Sequence, residues 1–105
     1  MNLQDSSKLQ DVLFPVFKRN NVIKALLFGS LAKGTGTKRS DVDLLILIES
    51  DKRFFSRYDD FNDVYDLLKG KSVDMLIYTP EELDKISSRS FIKKILSEGK
   101  VIYEH

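Results

Sequence analysis

Five consecutive apolar residues, Leu44-Leu45-Ile46-Leu47-Ile48, constrain the fold of this chain more than any other segment. Side chains of a strand alternate between the two faces of a sheet, so a strand that is apolar throughout must be covered on both faces. We therefore predict a strand over 41–48 at the centre of a small mixed β-sheet. The expected fold class is α/β, with helices flanking the sheet.

The segments before and after this strand show their own periodicities. Apolar residues at helical spacing predict a helix over 5–17, which Pro15 should kink or end early. The run 22–28 predicts a first strand. Aromatic residues recur every three or four positions over 52–69, which predicts one amphipathic helix that ends at Gly70 and turns its aromatic stripe to the sheet.

The last third of the chain predicts one more strand, two helices and an edge strand. A third strand covers 72–78, and Thr79-Pro80-Glu81-Glu82 combines a cap, an N1 proline and an N3 glutamate, which is a strong helix start. Apolar residues between Phe91 and Leu96 predict a last helix that Gly99 ends. Val101-Ile102-Tyr103 then predicts a strand at the edge of the sheet.

Composition bounds the kind of protein. The 105 residues predict a single domain over 1–105, and 17 basic against 16 acidic residues give no field that implies nucleic-acid or membrane binding. The chain has no cysteine, which excludes disulfides and thiolate metal sites and fits a cytoplasmic protein. No apolar run approaches the roughly 18 residues that span a bilayer. We expect a soluble, unprocessed protein.

Two aspartates stand where the central strand begins. Gly29 and Ser30 close the first strand, and Asp41 and Asp43 follow after a gap of ten residues. Because strand side chains alternate, these carboxylates project to one face, roughly 7 Å apart at the backbone. They repel each other unless divalent cations lie between them, and hard carboxylate oxygens beside phosphate are what Mg²⁺ selects. The Gly-Ser turn can supply the phosphate site.

A third acid, Asp74, interrupts the apolar third strand, and such a placement is costly unless the acid is paired or bound to metal. Simpler explanations exist for each feature. Asp41 and Asp43 could be solvated at a strand entry, Asp74 could be a buried acid paired with lysine, and Gly29-Ser30 could be a plain turn or cap. Four further acids are expected to form a solvated helix face, or alternatively a docking surface for a basic partner: Asp59, Asp60, Asp63 and Asp66.

This pattern resembles the minimal nucleotidyltransferases of the DNA polymerase beta-type superfamily. Ser40-Asp41-Val42-Asp43-Leu44 matches the typical Ser-Asp-x-Asp-Leu segment in full. The resemblance implies the polymerase beta-like fold, two Mg²⁺ ions held by Asp41, Asp43 and Asp74, and help from Asp74 in removing the nucleophile's proton. Gly29 and Ser30 would bind the triphosphate.

Basic residues near the turn are further candidates to bind phosphate. Lys33 stands four residues after Gly29, where relatives often have arginine, and it keeps the charge without the bidentate fork. Lys38 and Arg39 could also face the triphosphate, although a basic loop is equally what an ordinary solvated turn looks like.

What the resemblance implies is transfer of a nucleoside monophosphate from a nucleoside triphosphate to a hydroxyl, with pyrophosphate as leaving group. ATP is the expected donor. Minimal members commonly pair with a small helical RNase toxin of the HEPN type, so the expected acceptor is a tyrosine of that toxin and the chain would act as its antitoxin. A homo- or hetero-oligomer is compatible with this interpretation.

Two other functions stay open at this point. The chain could be an antitoxin that blocks its partner by contact alone, although clustered unpaired acids would bring such a domain no benefit. It could also be half of a small-molecule nucleotidyltransferase that modifies an aminoglycoside. Replacing Asp43 by asparagine separates the first alternative from an enzyme, because contact inhibition should survive that change.

Overall fold

The computed structural model describes residues 6–34 and 41–105. Within them no helix is both long and apolar enough to cross a membrane. The elements follow one another as α1 (Ser6–Arg19), β1 (Val22–Phe28), β2 (Val42–Ile48), a 3₁₀ helix (Phe54–Phe61), α2 (Asn62–Leu67), β3 (Val73–Tyr78), α3 (Pro80–Ile86), α4 (Ser90–Glu98) and β4 (Lys100–Glu104).

The four strands form one mixed sheet in the order β3-β2-β1-β4. β1 runs antiparallel to β2 and to β4, whereas β2 and β3 are parallel. The predicted central strand therefore has a neighbour on each side, and β4 lies at an edge, as expected. The prediction of an α/β domain with a small mixed sheet and flanking helices is confirmed.

Alternating side chains of the sheet build two cores, one on each face. The first core is the larger and packs α1, the 3₁₀ helix and α2 against the sheet; its members include Leu13, Phe17, Leu27, Leu44, Ile46, Phe61 and Val64. The second core packs α4 against the opposite face, with half-buried side chains of α3 beside it; its buried members are Leu26, Leu45, Ile92 and Ile95. Both faces of β2 are thus covered.

The first helix does not end at Pro15, as one reading of its sequence predicted, but continues to Arg19. Proline in a helix removes the hydrogen bond to the carbonyl four residues earlier, here that of Asp11. Both Pro15 and Asp11 are exposed, so water can reach that carbonyl. The position on the solvent side makes the proline tolerable.

The aromatic segment is not one α-helix over 52–69 as predicted, because its first half is a 3₁₀ helix. Side chains of this half are held by tertiary hydrogen bonds: the Tyr58 hydroxyl donates to the Met75 carbonyl at 2.8 Å, and the buried Arg57 donates to the Lys52 carbonyl at 3.1 Å. The stripe also faces the sheet only in part, since Tyr65 is 44% exposed.

Candidate functional site

Three side chains of different strands form a row across one end of the sheet. Phe28 of β1 is paired with Asp43 of β2, and Asp43 is paired with Asp74 of β3. Residues two positions apart in a strand share a face, and the residues two positions from these three are Leu26, Leu45 and Leu76, which belong to the second core or pack against it. All three side chains therefore project to the face that α4 covers. This row places an aromatic ring and two carboxylates side by side.

The turn after β1 brings backbone directly against the central carboxylate. Gly29 has φ +77°, in the left-handed region, and a Cβ placed there would clash with Asp43 Oδ2 and lie 3.4 Å from Asp43 Cγ. Glycine is therefore required both by the backbone conformation and by the space available. The following residues continue the turn, in which the Lys33 N–H donates to the Gly29 carbonyl at 3.3 Å.

The acids of the site act on one another. Burial raises the pKa of Asp43 above its usual value, and the charges of Asp74 and Asp41 and a hydrogen bond with Asp74 raise it further. The structure thus brings the three predicted aspartates within electrostatic reach. Asp41 and Asp74 are exposed, so Asp74 is not the buried acid that one alternative required.

The side chains as they stand do not form a ready metal site. Across residues 6–34 and 41–105, no group of three or more histidine, cysteine or acidic side chains is placed to hold an ion. Asp43 and Asp74 are nevertheless neighbours whose negative charges oppose each other, and a cation is what relieves such an arrangement.

A pocket of about 340 Å³ opens beside the row, between the end of the sheet and α4. The sheet contributes Phe28 and Asp43, and the turn contributes Gly29 and Lys33. The α4 side is formed by Phe91, Lys94, Ile95 and Glu98. Three of the predicted site residues therefore line one pocket, and the α4 side facing them has two apolar and two charged side chains.

The other predicted residues of the phosphate site differ in how far they can be located. Ser30 is half-buried in the turn directly after Gly29, and Lys33 is exposed. Lys38 and Arg39, predicted as basic candidates, lie outside the described residues, as does Ser40 of the Ser-Asp-x-Asp-Leu segment.

The α4 side of the pocket was not predicted. Phe91 and Ile95 were identified only as apolar positions of a last helix. Ile95 is indeed buried, but Phe91 is 58% exposed. The only signal in this segment was that Lys94 and Glu98 stand one turn apart beside these apolar residues. That pattern is common to all amphipathic helices, so it did not indicate a site.

Residues 12–105 match the family model described as Polymerase beta, Nucleotidyltransferase. The chain belongs to this nucleotidyltransferase family. Over 85 residues it is 33% identical to a protein of Methanocaldococcus jannaschii provisionally named protein adenylyltransferase MJ0604, a match that covers 81% of this chain and 82% of that protein. The predicted family and the predicted nucleotidyltransferase activity are thereby confirmed.

Solved structures of similar fold extend the comparison. A toxin–antitoxin structure with AMP-PNP matches this nucleotidyltransferase with a TM-score of 0.66 at 20% identity, covering 91% of this chain and 73% of that one. A provisionally named nucleotidyltransferase from Sulfolobus solfataricus matches with a TM-score of 0.62 at 18% identity, covering 95% and 80%. These likenesses establish the polymerase beta-like fold.

Proposed function

We propose that this nucleotidyltransferase moves AMP from ATP to the hydroxyl of a tyrosine on a small helical toxin of the HEPN type, with Mg²⁺ as cofactor, and so acts as the toxin's antitoxin. In this proposal residues 1–105 form one catalytic domain. The name of the M. jannaschii relative supports a protein as acceptor, and the toxin–antitoxin structure with AMP-PNP supports both the partner class and the donor.

The observation that carries the proposal is the close approach of the Gly29 turn to Asp43, which is paired with Asp74 on the next strand. Because Gly29 carries no Cβ, the Asp43 carboxylate packs directly against the backbone of the turn, so a phosphate bound by the turn would lie beside that carboxylate. The Gly29 and Ser30 N–H groups and the Ser30 hydroxyl suit phosphate oxygens, and Lys33 supplies a positive charge at the same turn. In the proposed reaction these groups hold the triphosphate.

The carboxylates fit a magnesium site by their chemistry. Asp43 and Asp74 offer hard oxygen ligands whose mutual repulsion a divalent cation would relieve, and Asp41 adds a further exposed carboxylate. When bound there, Mg²⁺ would neutralise charge on the transferring phosphate and favour ionisation of the attacking hydroxyl. The ligand set proposed for it is Asp41, Asp43 and Asp74.

The proposed transfer replaces the phosphoanhydride bond between the α- and β-phosphates by a phosphate ester bond to the acceptor. The acceptor oxygen forms a bond to the α-phosphorus, and the bond from that phosphorus to the oxygen bridging to the β-phosphate breaks. Pyrophosphate leaves with the electron pair, and the proton of the hydroxyl passes to the Asp74 carboxylate. Asp74 is exposed and lies on β3, the edge strand, where an acceptor on another protein can reach it.

The test is label transfer from ATP labelled in the α-phosphate, with Mg²⁺ and host lysate. Wild type should label one protein band, whose mass identifies the partner, and Asp43→Asn should lower labelling at least about 100-fold because the metal loses a charged ligand. Asp66→Asn is the matched control. It removes one exposed carboxylate from α2, on the opposite face of the sheet, and labelling should stay at the wild-type level.

Other outcomes would redirect the proposal. Label in a small molecule instead of a protein would favour the small-molecule transferase, and label in RNA would indicate a polynucleotide acceptor. If no fraction is labelled, and the partner still binds Asp43→Asn as it binds wild type, then the protein is an antitoxin that acts by contact alone.

A further inference from the structure

The lining of the pocket beside the Gly29 turn combines two kinds of side chain. Lys33 of the turn and Lys94 of α4 contribute positive charges, and Phe28 of β1 and Phe91 of α4 contribute aromatic rings. The rings meet edge to face, with centroids 5.9 Å apart. A ligand that complements this pocket carries negative charge and has a flat apolar part.

We propose that this pocket holds the donor nucleotide, with its base against Phe91 and Phe28 and its phosphates toward Lys33 and Lys94. This inference rests on the proposed function and adds to it the residues that bind the base. The volume of about 340 Å³ lies within the roughly 300–1,000 Å³ usual for small-molecule sites. Glu98 adds a carboxylate that can accept hydrogen bonds from ribose hydroxyls.

Phe91 is the residue that most needs an explanation. Its side chain is 58% exposed although it is large and apolar, and it lines the pocket without being a member of the second core. Aromatic faces left open beside a phosphate site are suited to stack on a nucleobase. Burial of the ring by a bound base would remove that exposed surface from water.

The order of side chains in the row favours the donor over the acceptor as the occupant. Asp43 is central, Phe28 and the pocket lie on its β1 side, and Asp74 lies on its β3 side at the edge of the sheet. The two lysines complement an anion, whereas a tyrosine acceptor is neutral. The donor therefore enters from the β1 side and the acceptor from the β3 side.

The experiment measures binding of AMP-PNP with Mg²⁺ by calorimetry, without any acceptor, and in parallel binding of inorganic tripolyphosphate. Phe91→Ala should weaken AMP-PNP about 5- to 100-fold, the range of one lost base–aromatic contact, and leave tripolyphosphate unchanged. Lys94→Ala should weaken both ligands. The matched controls on α4 are Leu96→Ala, also exposed and apolar, and Lys93→Ala, which does not line the pocket; neither should weaken either ligand.

Each contrary result has its own meaning. If wild type binds AMP-PNP and Phe91→Ala binds it equally well, the pocket proposal is wrong while nucleotidyl transfer stands. If Phe91→Ala leaves AMP-PNP binding unchanged but raises the KM for the acceptor protein in the label-transfer assay, the pocket holds the acceptor. If wild type binds no AMP-PNP at all, the proposed function fails together with this inference.

Discussion

At the scale of single residues, Gly29 determines how closely the backbone can approach the acids. Replacing it by alanine imposes two penalties: the left-handed conformation costs about 1–2 kcal/mol, and the added Cβ clashes with the Asp43 carboxylate, for which about 1–3 kcal/mol more is expected. Gly29→Ala should therefore lower the free energy of unfolding by about 2–5 kcal/mol. It should also displace Asp43 and abolish label transfer.

The control for this prediction is Gly70→Ala. Gly70 has φ +92°, but a Cβ there would meet nothing within 4 Å, so only the backbone penalty applies. Urea unfolding of both variants should place Gly29→Ala clearly below Gly70→Ala, with transfer activity retained in the latter. Equal stabilities would mean that the contact with Asp43 relaxes without cost and that the turn is less constrained than its geometry indicates.

Residues of the site were predictable to the extent that their roles depend on local spacing. Asp41 and Asp43 alternate within one strand, and Gly29 closes another, so sequence alone placed them near each other. Phe91 could not be found this way, because its place depends on how α4 packs across the sheet. An aromatic residue at helical spacing is normally core, and only tertiary structure shows that this one is 58% exposed.

At the scale of elements, an ion pair joins the 3₁₀ helix to the start of α3. Arg57 is buried, and its guanidinium donates to both carboxylate oxygens of Glu82, with Nη2 to Oε2 at 2.9 Å. Glu82 also completes the capping box of α3 by accepting from the Thr79 N–H at 2.9 Å. The hydrogen bonds from Arg57 and Thr79 hold the pKa of Glu82 at about 2, below its ordinary value of 4.5.

This pKa predicts how stability depends on pH. Because the folded pKa is the lower one, the stabilisation is complete above about pH 4.5 and is lost as the pH falls toward 2. Since the Glu82 side chain is 38% exposed, solvent screening limits the contribution to about 1–2 kcal/mol. Urea unfolding should show Glu82→Gln less stable than wild type at pH 7, with the difference shrinking between pH 4.5 and pH 2.

Two features make this comparison specific. Glutamine can still complete the capping box, so Glu82→Gln tests the charge rather than the cap. Glu81→Gln is the matched control, an exposed acid of the same first turn, and its difference from wild type should stay small at every pH. A difference for Glu82→Gln that does not change with pH would contradict the assigned role of its charge.

Elements that depend on local patterns could be predicted from the sequence, whereas the element that depends on this ion pair could not. The strand Val22–Phe28 and the capped start of α3 follow from local patterns, and the structure has both. The 3₁₀ helix does not, since its position depends on Arg57 reaching the Ile77 carbonyl and Glu82, 20 and 25 residues away. Arginine is normally found at the surface, so the burial of Arg57 could not be predicted from the sequence.

At the scale of the whole molecule, the sheet has unequal support on its two faces. The first core joins α1, the 3₁₀ helix and α2 to the sheet, whereas only Ile92 and Ile95 of α4 are buried in the second core. Segments with few buried apolar contacts open at a lower free energy than the global one. We therefore expect α4 to open locally while β1 and β2 remain protected.

Hydrogen exchange measures this directly and connects the fold to the proposed pocket. In the free protein, amides of α4 should exchange faster than those of β2. Saturating AMP-PNP with Mg²⁺, at about 100 times its Kd, should slow α4 about 100-fold, because the ligand binds only when that helix is in place. The nucleotide should not change the exchange rates of α1 amides that exchange by local fraying, since α1 packs on the opposite face of the sheet. If α4 and β2 exchange at one rate, the two faces of the sheet open together and the inequality of the cores has no dynamic consequence. If the nucleotide slows exchange in the Gly29 turn but not in α4, the helix does not form the base side of the site.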